Sequence, residues 1–511
     1  MSISRRRFAA TVAGGLAEYL PERLRALRPR PKLFVFLIAE QFRQVYLDRC
    51  TRLLVAGGFK RLMEEGIYYP NCQLACSSFT AGGVATLATG AYPQLHGIVA
   101  EQWYDRKAAA PVKASGARLA ATTLADEAAR LGRDHNRTFC VGLNRDSLSL
   151  LAGGSSAQLV WMDDQGQFTA GPRDLKWLTR YNSERPIENL YNAPWNAVGA
   201  GEGFPPLRTL ALDPSRPEEF MTLYRSSPFG QDAQFELLRN LIANEKLGQG
   251  DTLDLVFVSL GSMALLGYET GSDSPLMEQM VLRLDRQVKA TLEALDSVPG
   301  AGGYNLIFAA AHGAPPEQNG VAHPRKAVDG EALAHAISKG LSDWIDKGTV
   351  KNVYVEKYIY PFLYLKQEAL RKQNVALRDA RRLAAEVALR YPGVAGYYTA
   401  DGECTHGGQW RRRFENSFCE LRSGDVMLSY EAETVEESGA RRGISYGSLY
   451  NYDTSVPLFL YGAQFGAQVI ERGIEPVDLA PTVARAAGLS LPSSATGEVL
   501  GEAFAEEKRG K

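Results

Sequence analysis

Several things are scarce in this 511-residue chain, and each scarcity removes a class of protein. No run of about 18 apolar residues occurs, so no segment reads as a membrane-spanning helix. Lys and Arg number 57 against 58 Asp and Glu, so there is no basic excess to release counterions from nucleic acid. Six cysteines over this length do not make a disulfide scaffold. Cys72 and Cys76 are four residues apart, but no second pair or neighbouring His completes a zinc knuckle, and they read as small buried residues. Only six histidines are present. There is no internal repeat and no low-complexity block.

What is present is a strand and helix rhythm. Leu33–Ala39, Thr138–Leu143, Ala157–Met162, Leu253–Leu260, Asn305–Ala311 and Pro457–Gly462 are short, nearly continuous apolar runs, the pattern of strands buried on both faces. Helical patterns separate them, notably Glu278–Leu295, which predicts a parallel sheet with crossover helices. The region from Asp163 to about Gln249 has weak strand signals. Residues 324–443 differ in texture, with helix-like blocks at Gly330–Lys347 and Glu368–Arg390 and a strand-like Asn352–Leu365. They predict an inserted cap, leaving 31–323 and 444–511 as the core. At the N-terminus, Ser4-Arg5-Arg6-Arg7-Phe8 precedes a short apolar run. Residues 1–30 therefore resemble a twin-arginine leader, which exports folded proteins to the bacterial periplasm, and a spacer.

The stretch from Tyr68 to Arg106 carries the most information. Cys76-Ser77-Ser78-Phe79-Thr80 leads into the helical Ala81–Thr89, placing a hydroxyl at a loop-to-helix junction where backbone N–H groups are free. Such a hydroxyl suits a nucleophile, and it is also how ordinary helices are capped. Other candidate groups follow strand ends, where sites collect in open α/β sheets: Glu40, Asn144, Arg145 and His312.

Taken together, these pieces resemble the alkaline phosphatase superfamily, in particular threonine-nucleophile alkaline phosphatases and type I phosphodiesterase/nucleotide pyrophosphatases. The resemblance rests on Gly57–Leu62, the Thr80 segment through Tyr92-Pro93 and His96-Gly97-Ile98, Ser227–Gly230, Leu282–Asp285, His312-Gly313, Tyr450–Leu458 and Asp478–Thr482, in family order. It implies a three-layer α/β sandwich with a central, mostly parallel sheet, and two-metal phosphoryl transfer. In that chemistry two zinc ions about 4 Å apart clamp the attacking and leaving oxygens.

Residue by residue, the resemblance implies a nucleophile at Thr80 and a metal ligand at Glu40, where the family has aspartate. The Asp-His pair falls on Ala311 and His312. A second ligand pair falls on Ala264 and Tyr268, beside Met263, and the late histidine falls on Tyr446. The phosphate-gripping positions fall on Glu101, Asn144 and Asp146, with Arg145 between the last two. Carboxylates have become Ala and imidazoles have become Tyr, which is what loss of metal predicts, because uncompensated buried charge is costly. The remaining histidines, His96 in a turn, His135, His323, His335 and His406, read as isolated.

Two principal readings follow. In the first, the chain is a catalytically impaired or pseudoenzyme member with no resident cofactor, binding a small ligand such as a phosphate or sulfate ester through Glu101, Asn144, Arg145, Tyr268 and Tyr446. In the second, it is a phosphoric or sulfuric ester hydrolase with Thr80 as nucleophile and one zinc ion on Glu40 and His312. A metal-free hydrolase with Glu40 or His312 as the base for Thr80 is a third. It requires that base within hydrogen-bond reach.

Overall fold

The computed structural model describes residues 31–131, 136–201, 203–300, 302–316, 327–347, 353–436 and 446–504. The leader at 1–30, His135 and His323 lie outside them. Seven strands lead: β1 (Leu33–Ala39), β2 (Ile67–Gln73), β3 (Arg137–Gly142), β4 (Gln158–Met162), β5 (Phe168–Gly171), β6 (Asp254–Leu260) and β7 (Tyr304–Ala310). A second group follows: β8 (Val355–Ile359), β9 (Phe362–Leu365), β10 (Val394–Thr399) and β11 (Val426–Tyr430). The chain then returns with β12 (Ser455–Gly462) and β13 (Gln468–Val469).

The nine-stranded sheet has the order β13-β2-β12-β7-β1-β6-β3-β4-β5. Its centre is parallel: β1 pairs with β6 and β7, β6 with β3, and β3 with β4. β12 is antiparallel to both β7 and β2, and β5 is an antiparallel edge that the weak strand signal after Asp163 concealed. Every residue of β1, β6 and β7 is buried, as their unbroken apolar runs require when helices cover both faces.

The covering helices include α1 (Thr80–Thr89), α2 (Arg145–Ala152), α3 (Pro228–Asn244), α4 (Ser262–Thr270) and α5 (Pro275–Leu295). α1 is buried at every position. At Gly83 it presses closely on the chain beyond β7. A Cβ at Gly83 would lie 2.2 Å from the carbonyl oxygen of Ala311.

Residues 327–436 form a smaller antiparallel sheet, ordered β8-β9-β11-β10, with α6 (Gly330–Ile345) and α7 (Leu377–Leu389). They close a second apolar core containing Leu333, Ile337, Leu363, Ala384 and Leu428. The helix-like block Glu368–Arg390 is two helices, Gln367–Lys372 and α7, and Asn352–Leu365 holds a hairpin rather than one strand. Within the same stretch, α8 (Gly408–Ser417) instead packs Phe414 into the main core. Buried Asp425 links the two parts, pairing with Arg106 of the main body at 2.5 Å and with Arg381 of α7 at 3.0 Å. α9 (Leu479–Ala487) closes the main body. Among the described residues no helix is long and apolar enough to cross a membrane.

The fit of α1 is testable. Gly83→Ala is expected to lower unfolding stability in urea by about 1–3 kcal/mol, because the overlap with Ala311 outweighs the helix-propensity gain. A midpoint equal to or above that of the unsubstituted chain would contradict the packing.

Candidate functional site

Parallel register brings the candidate residues together. Ala39 lies opposite both Leu260 and Ala310, so the chain leaves β1, β6 and β7 at one level. Glu40 follows β1, Gly261 and Ser262 follow β6, and Ala311 and His312 follow β7. The Phe42 N–H donates to the His312 carbonyl at 2.9 Å, fixing the two exits to each other.

Thr80 is the first residue of α1 and is buried. Its hydroxyl lies 2.8 Å from His312 Nε2. His312 Nδ1 lies 2.6 Å from the Gly313 carbonyl oxygen, which can only accept, so Nδ1 carries the proton. Burial pulls the imidazole pKa down to about 4, so at neutral pH Nε2 is a bare lone pair and Thr80 donates to it. Tyr446 also hydrogen-bonds Thr80. With the threonine proton already committed to His312, the phenol is the donor. Burial pushes that phenol well above its usual range, and Glu101 and Glu40 add to the effect. The Tyr446 ring stacks on His312 with centroids 4.7 Å apart, and Tyr268 leans on Tyr446 at 5.3 Å.

The carboxylates are engaged within the protein. Glu40 Oε1 accepts from Ser147 at 3.0 Å and from Ser259 at 2.8 Å. Burial nevertheless raises its pKa, with those two hydroxyls opposing. Glu101 Oε1 accepts the Ala81 N–H at 2.9 Å, at the N-terminus of α1 where an anion is favoured. Its pKa is pushed up to about 7, chiefly by burial, and further by the charges of Glu40 and Asp146.

Thr80, His312, Tyr446, Glu101 and Glu40 therefore share one site, and Tyr268 reaches it through Tyr446. Asn144 and Arg145 are engaged locally instead. The exposed Asn144 side chain caps α2 by accepting the Ser147 N–H at 3.1 Å. The Arg145 guanidinium lies 5.3 Å from the Trp161 ring centre. Met263, Ala264 and Ala311 are buried apolar neighbours of the strand ends. His96 is fully buried, accepting the Ile98 N–H at Nδ1, while His335 is exposed on α6 and His406 packs near Trp410.

Sequence reasoning missed Ser147 and Ser259, which hold Glu40. A serine inside the apolar run Leu253–Leu260 was the available signal. It also missed Asp453, fully buried, which accepts from Ser78 at 3.2 Å and Ser448 at 2.5 Å beneath the Thr80 turn.

Zinc asks for three or four donors drawn from imidazole, thiolate and carboxylate. Among the described residues no group of three or more His, Cys, Asp or Glu side chains is placed to hold a metal ion. The donors here do not fit two zinc ions. For a single ion they supply one imidazole, engaged by Thr80, and two carboxyl groups, Glu40 held by two serines and Glu101 held by the Ala81 N–H.

A threonine heading a helix against the carboxyl ends of a mostly parallel sheet, with a second unit between β7 and β12, belongs to the alkaline phosphatase superfamily. Within it, the family model described as type I phosphodiesterase / nucleotide pyrophosphatase matches residues 34–431, and the chain belongs to that family. Alkaline phosphatase PafA of Elizabethkingia meningoseptica is 25% identical over 523 residues, covering 93% of this chain and 94% of that protein. Alkaline phosphatase PhoV of Synechococcus elongatus is 24% identical over 516 residues, covering 92% of each. The crystal structure of wild-type PafA matches with a TM-score of 0.80 at 23% identity, over 94% of this chain and all of that one. Murine ectonucleotide pyrophosphatase/phosphodiesterase 5 matches with a TM-score of 0.54 at 13% identity, over 90% and 96%.

Glu101 makes stability depend on pH. Its folded pKa, about 7, lies above the ordinary glutamate value of 4.5, so its favourable contribution is full below about 4.5 and is lost as pH rises through 7. Glu101→Gln removes that loss. The variant should match the unsubstituted chain near pH 4 and exceed it near pH 8 by up to about 3 kcal/mol, read from urea midpoints. A difference that is constant across that range would refute the assignment.

Proposed function

We propose that this chain is a member of its family that does not carry out two-metal phosphoryl transfer and uses the Thr80 cleft to bind a small ligand. The observation that carries this reading is Glu101, whose carboxylate accepts the α1 N-terminal N–H where the anionic group of a phosphoester would sit. A phosphate dianion entering there would have to displace the Glu101 carboxyl from the N–H group it occupies, or hold it protonated. The replacement of metal-ligand positions by Ala264, Tyr268, Ala311 and Tyr446 supports the same reading. The unit around the four-stranded sheet is then a cap over that cleft.

One observation favours another reading, the metal-free hydrolase. The Nε2 lone pair of His312 stands 2.8 Å from the Thr80 hydroxyl, within the reach of a general base. In that reaction the Thr80 oxygen bonds to phosphorus, its proton passes to His312 Nε2, and the ester P–O bond breaks to release the alcohol, which takes that proton. Water then hydrolyses the phosphothreonine to free Thr80, with no step through a metal. The low basicity of the buried imidazole counts against speed.

Purification with zinc supplied, metal analysis, and assays on an aryl phosphate, an aryl phosphodiester and an aryl sulfate separate the readings. We expect substoichiometric zinc and no turnover above that of Thr80→Ala. Stoichiometric zinc with chelator-sensitive turnover would overturn the proposal in favour of the one-zinc alternative. Chelator-resistant turnover lost in both Thr80→Ala and His312→Gln would establish the metal-free hydrolase.

The Arg5-Arg6-Arg7-Phe8 pattern supports export to the periplasm or beyond. Residues 1–30 fused to a folded reporter should direct it out of a bacterial cytoplasm, and replacing Arg5 and Arg6 with Lys should retain it inside.

A further inference from the structure

Two arginines of known partners in the main body, Arg43 and Arg413, are more than nine-tenths buried, and they are treated differently. Arg43 is paired with Asp273 at 2.6 Å. Arg413, on α8, has no carboxylate partner among the described residues. Its Nη1 donates to the Leu449 carbonyl and its Nη2 to Asn451 Oδ1 at 3.0 Å. Burial pulls its pKa down, and no carboxylate opposes that shift. A buried guanidinium bonded only to neutral oxygens retains an uncompensated charge, which is costly unless an anion arrives.

Arg413 lines a cavity of about 430 Å³ between β2 with the chain just after it, α8, and the turn at 473–475. That size suits a small organic ligand rather than a bare inorganic ion. The other polar walls are amide-rich: Gln44, Gln73 and Gln409. Gln44 lines the same wall, with its Nε2 on the Tyr68 hydroxyl and its Oε1 closed off from solvent without a hydrogen-bond partner. Gln73 Nε2 shares the Asn451 oxygen with Arg413, at 3.0 Å. The remaining charges cancel, because Arg412 grips Glu475 through two bonds of 2.5 and 2.9 Å. The cavity therefore carries one net positive charge at Arg413, beside hydrogen-bonding groups suited to hydroxyls.

We infer that this cavity is a binding site for a small hydroxylated carboxylate, a sugar acid or hydroxy acid, with its carboxylate on Arg413 and its hydroxyls on the amide wall of Gln44, Gln73 and Gln409. One negative charge matches the one guanidinium on the cavity wall that has no carboxylate partner among the described residues. A phosphate dianion would bring a second charge toward Glu475. The site is distinct from the Thr80 cleft but is tied to the turn that carries it. The Ser77 N–H donates to Ser417 Oγ at 2.7 Å, and Asn416 Nδ2 donates to the Ala75 carbonyl at 2.8 Å.

The test uses the full chain with D-glucuronate, glucose, glucose 6-phosphate and inorganic phosphate, read by calorimetry and by the shift in Tm. Glucuronate should bind saturably and raise Tm, and glucose should do neither. Arg413→Met should weaken glucuronate at least tenfold. If that variant fails to fold, Gln409→Glu, at an exposed position on the cavity wall, should weaken glucuronate by adding a negative charge. Thr80→Ala should leave glucuronate binding unchanged, so the outcome is independent of the chemistry at the cleft. The inference is overturned if the unsubstituted chain binds no glucuronate, or if glucose binds equally well. Tighter binding of either phosphate, or glucuronate affinity indifferent to both Arg413→Met and Gln409→Glu, overturns it as well.

Discussion

The parallel pairing of β1 with β6 on one side and β7 on the other is the constraint on which the rest depends. Because Ala39 stands opposite both Leu260 and Ala310, three chain segments leave the sheet at the same height. Their polar residues then have nowhere to go but one shared edge. The Phe42–His312 backbone bond locks two of those exits, and the close approach of Gly83 to Ala311 seats the N-terminal turn of α1 on them. Thr80 meets His312 because of that stacking, not because of anything local to either residue.

Once the groups share a buried edge, low dielectric dictates their arrangement. Each polar atom must find a partner inside or carry the cost of being unpaired. Ser147 and Ser259 serve Glu40, the Gly313 carbonyl and Thr80 serve His312, and the Ala81 N–H serves Glu101. This internal closure leaves the polar atoms of the site bonded to one another. It also explains why Tyr446 and Tyr268 suit the site. Their rings fill volume and their phenols add hydrogen bonds without adding charge.

The same economy elsewhere sets Arg413 apart. Asp425 is almost fully buried, and two arginines and the Leu365 N–H answer its charge. Arg43 has Asp273. Arg413 has only neutral oxygens and a cavity before it, an asymmetry invisible in composition because the chain as a whole is balanced at 57 against 58 charges.

Much of the architecture was legible before any coordinates. Continuous apolar runs at Leu33–Ala39, Leu253–Leu260 and Asn305–Ala311 can be satisfied only by burial on both faces, so periodicity alone determined a covered parallel sheet. The Thr80 junction and its downstream turn determined the superfamily resemblance, since that sequence of small and polar residues is local. Edge strand β5, the break between Lys372 and Leu377, and the hairpin in Asn352–Leu365 were not legible, because edges and short antiparallel turns draw their stability from neighbours.

The site divides in the same way. Sequence determined which side chains are available, Thr80 with Glu40, Glu101, His312 and Tyr446. Only the tertiary structure decided what each one does. Asn144 became a helix cap and Arg145 the partner of an indole, while Glu101 took the N-terminus of α1 and two unremarked serines took Glu40. The physical reason is that hydrogen bonding in a buried site is a matter of a few tenths of an ångström and of lone-pair direction. Those are set by strand register and helix seating hundreds of residues away in the chain.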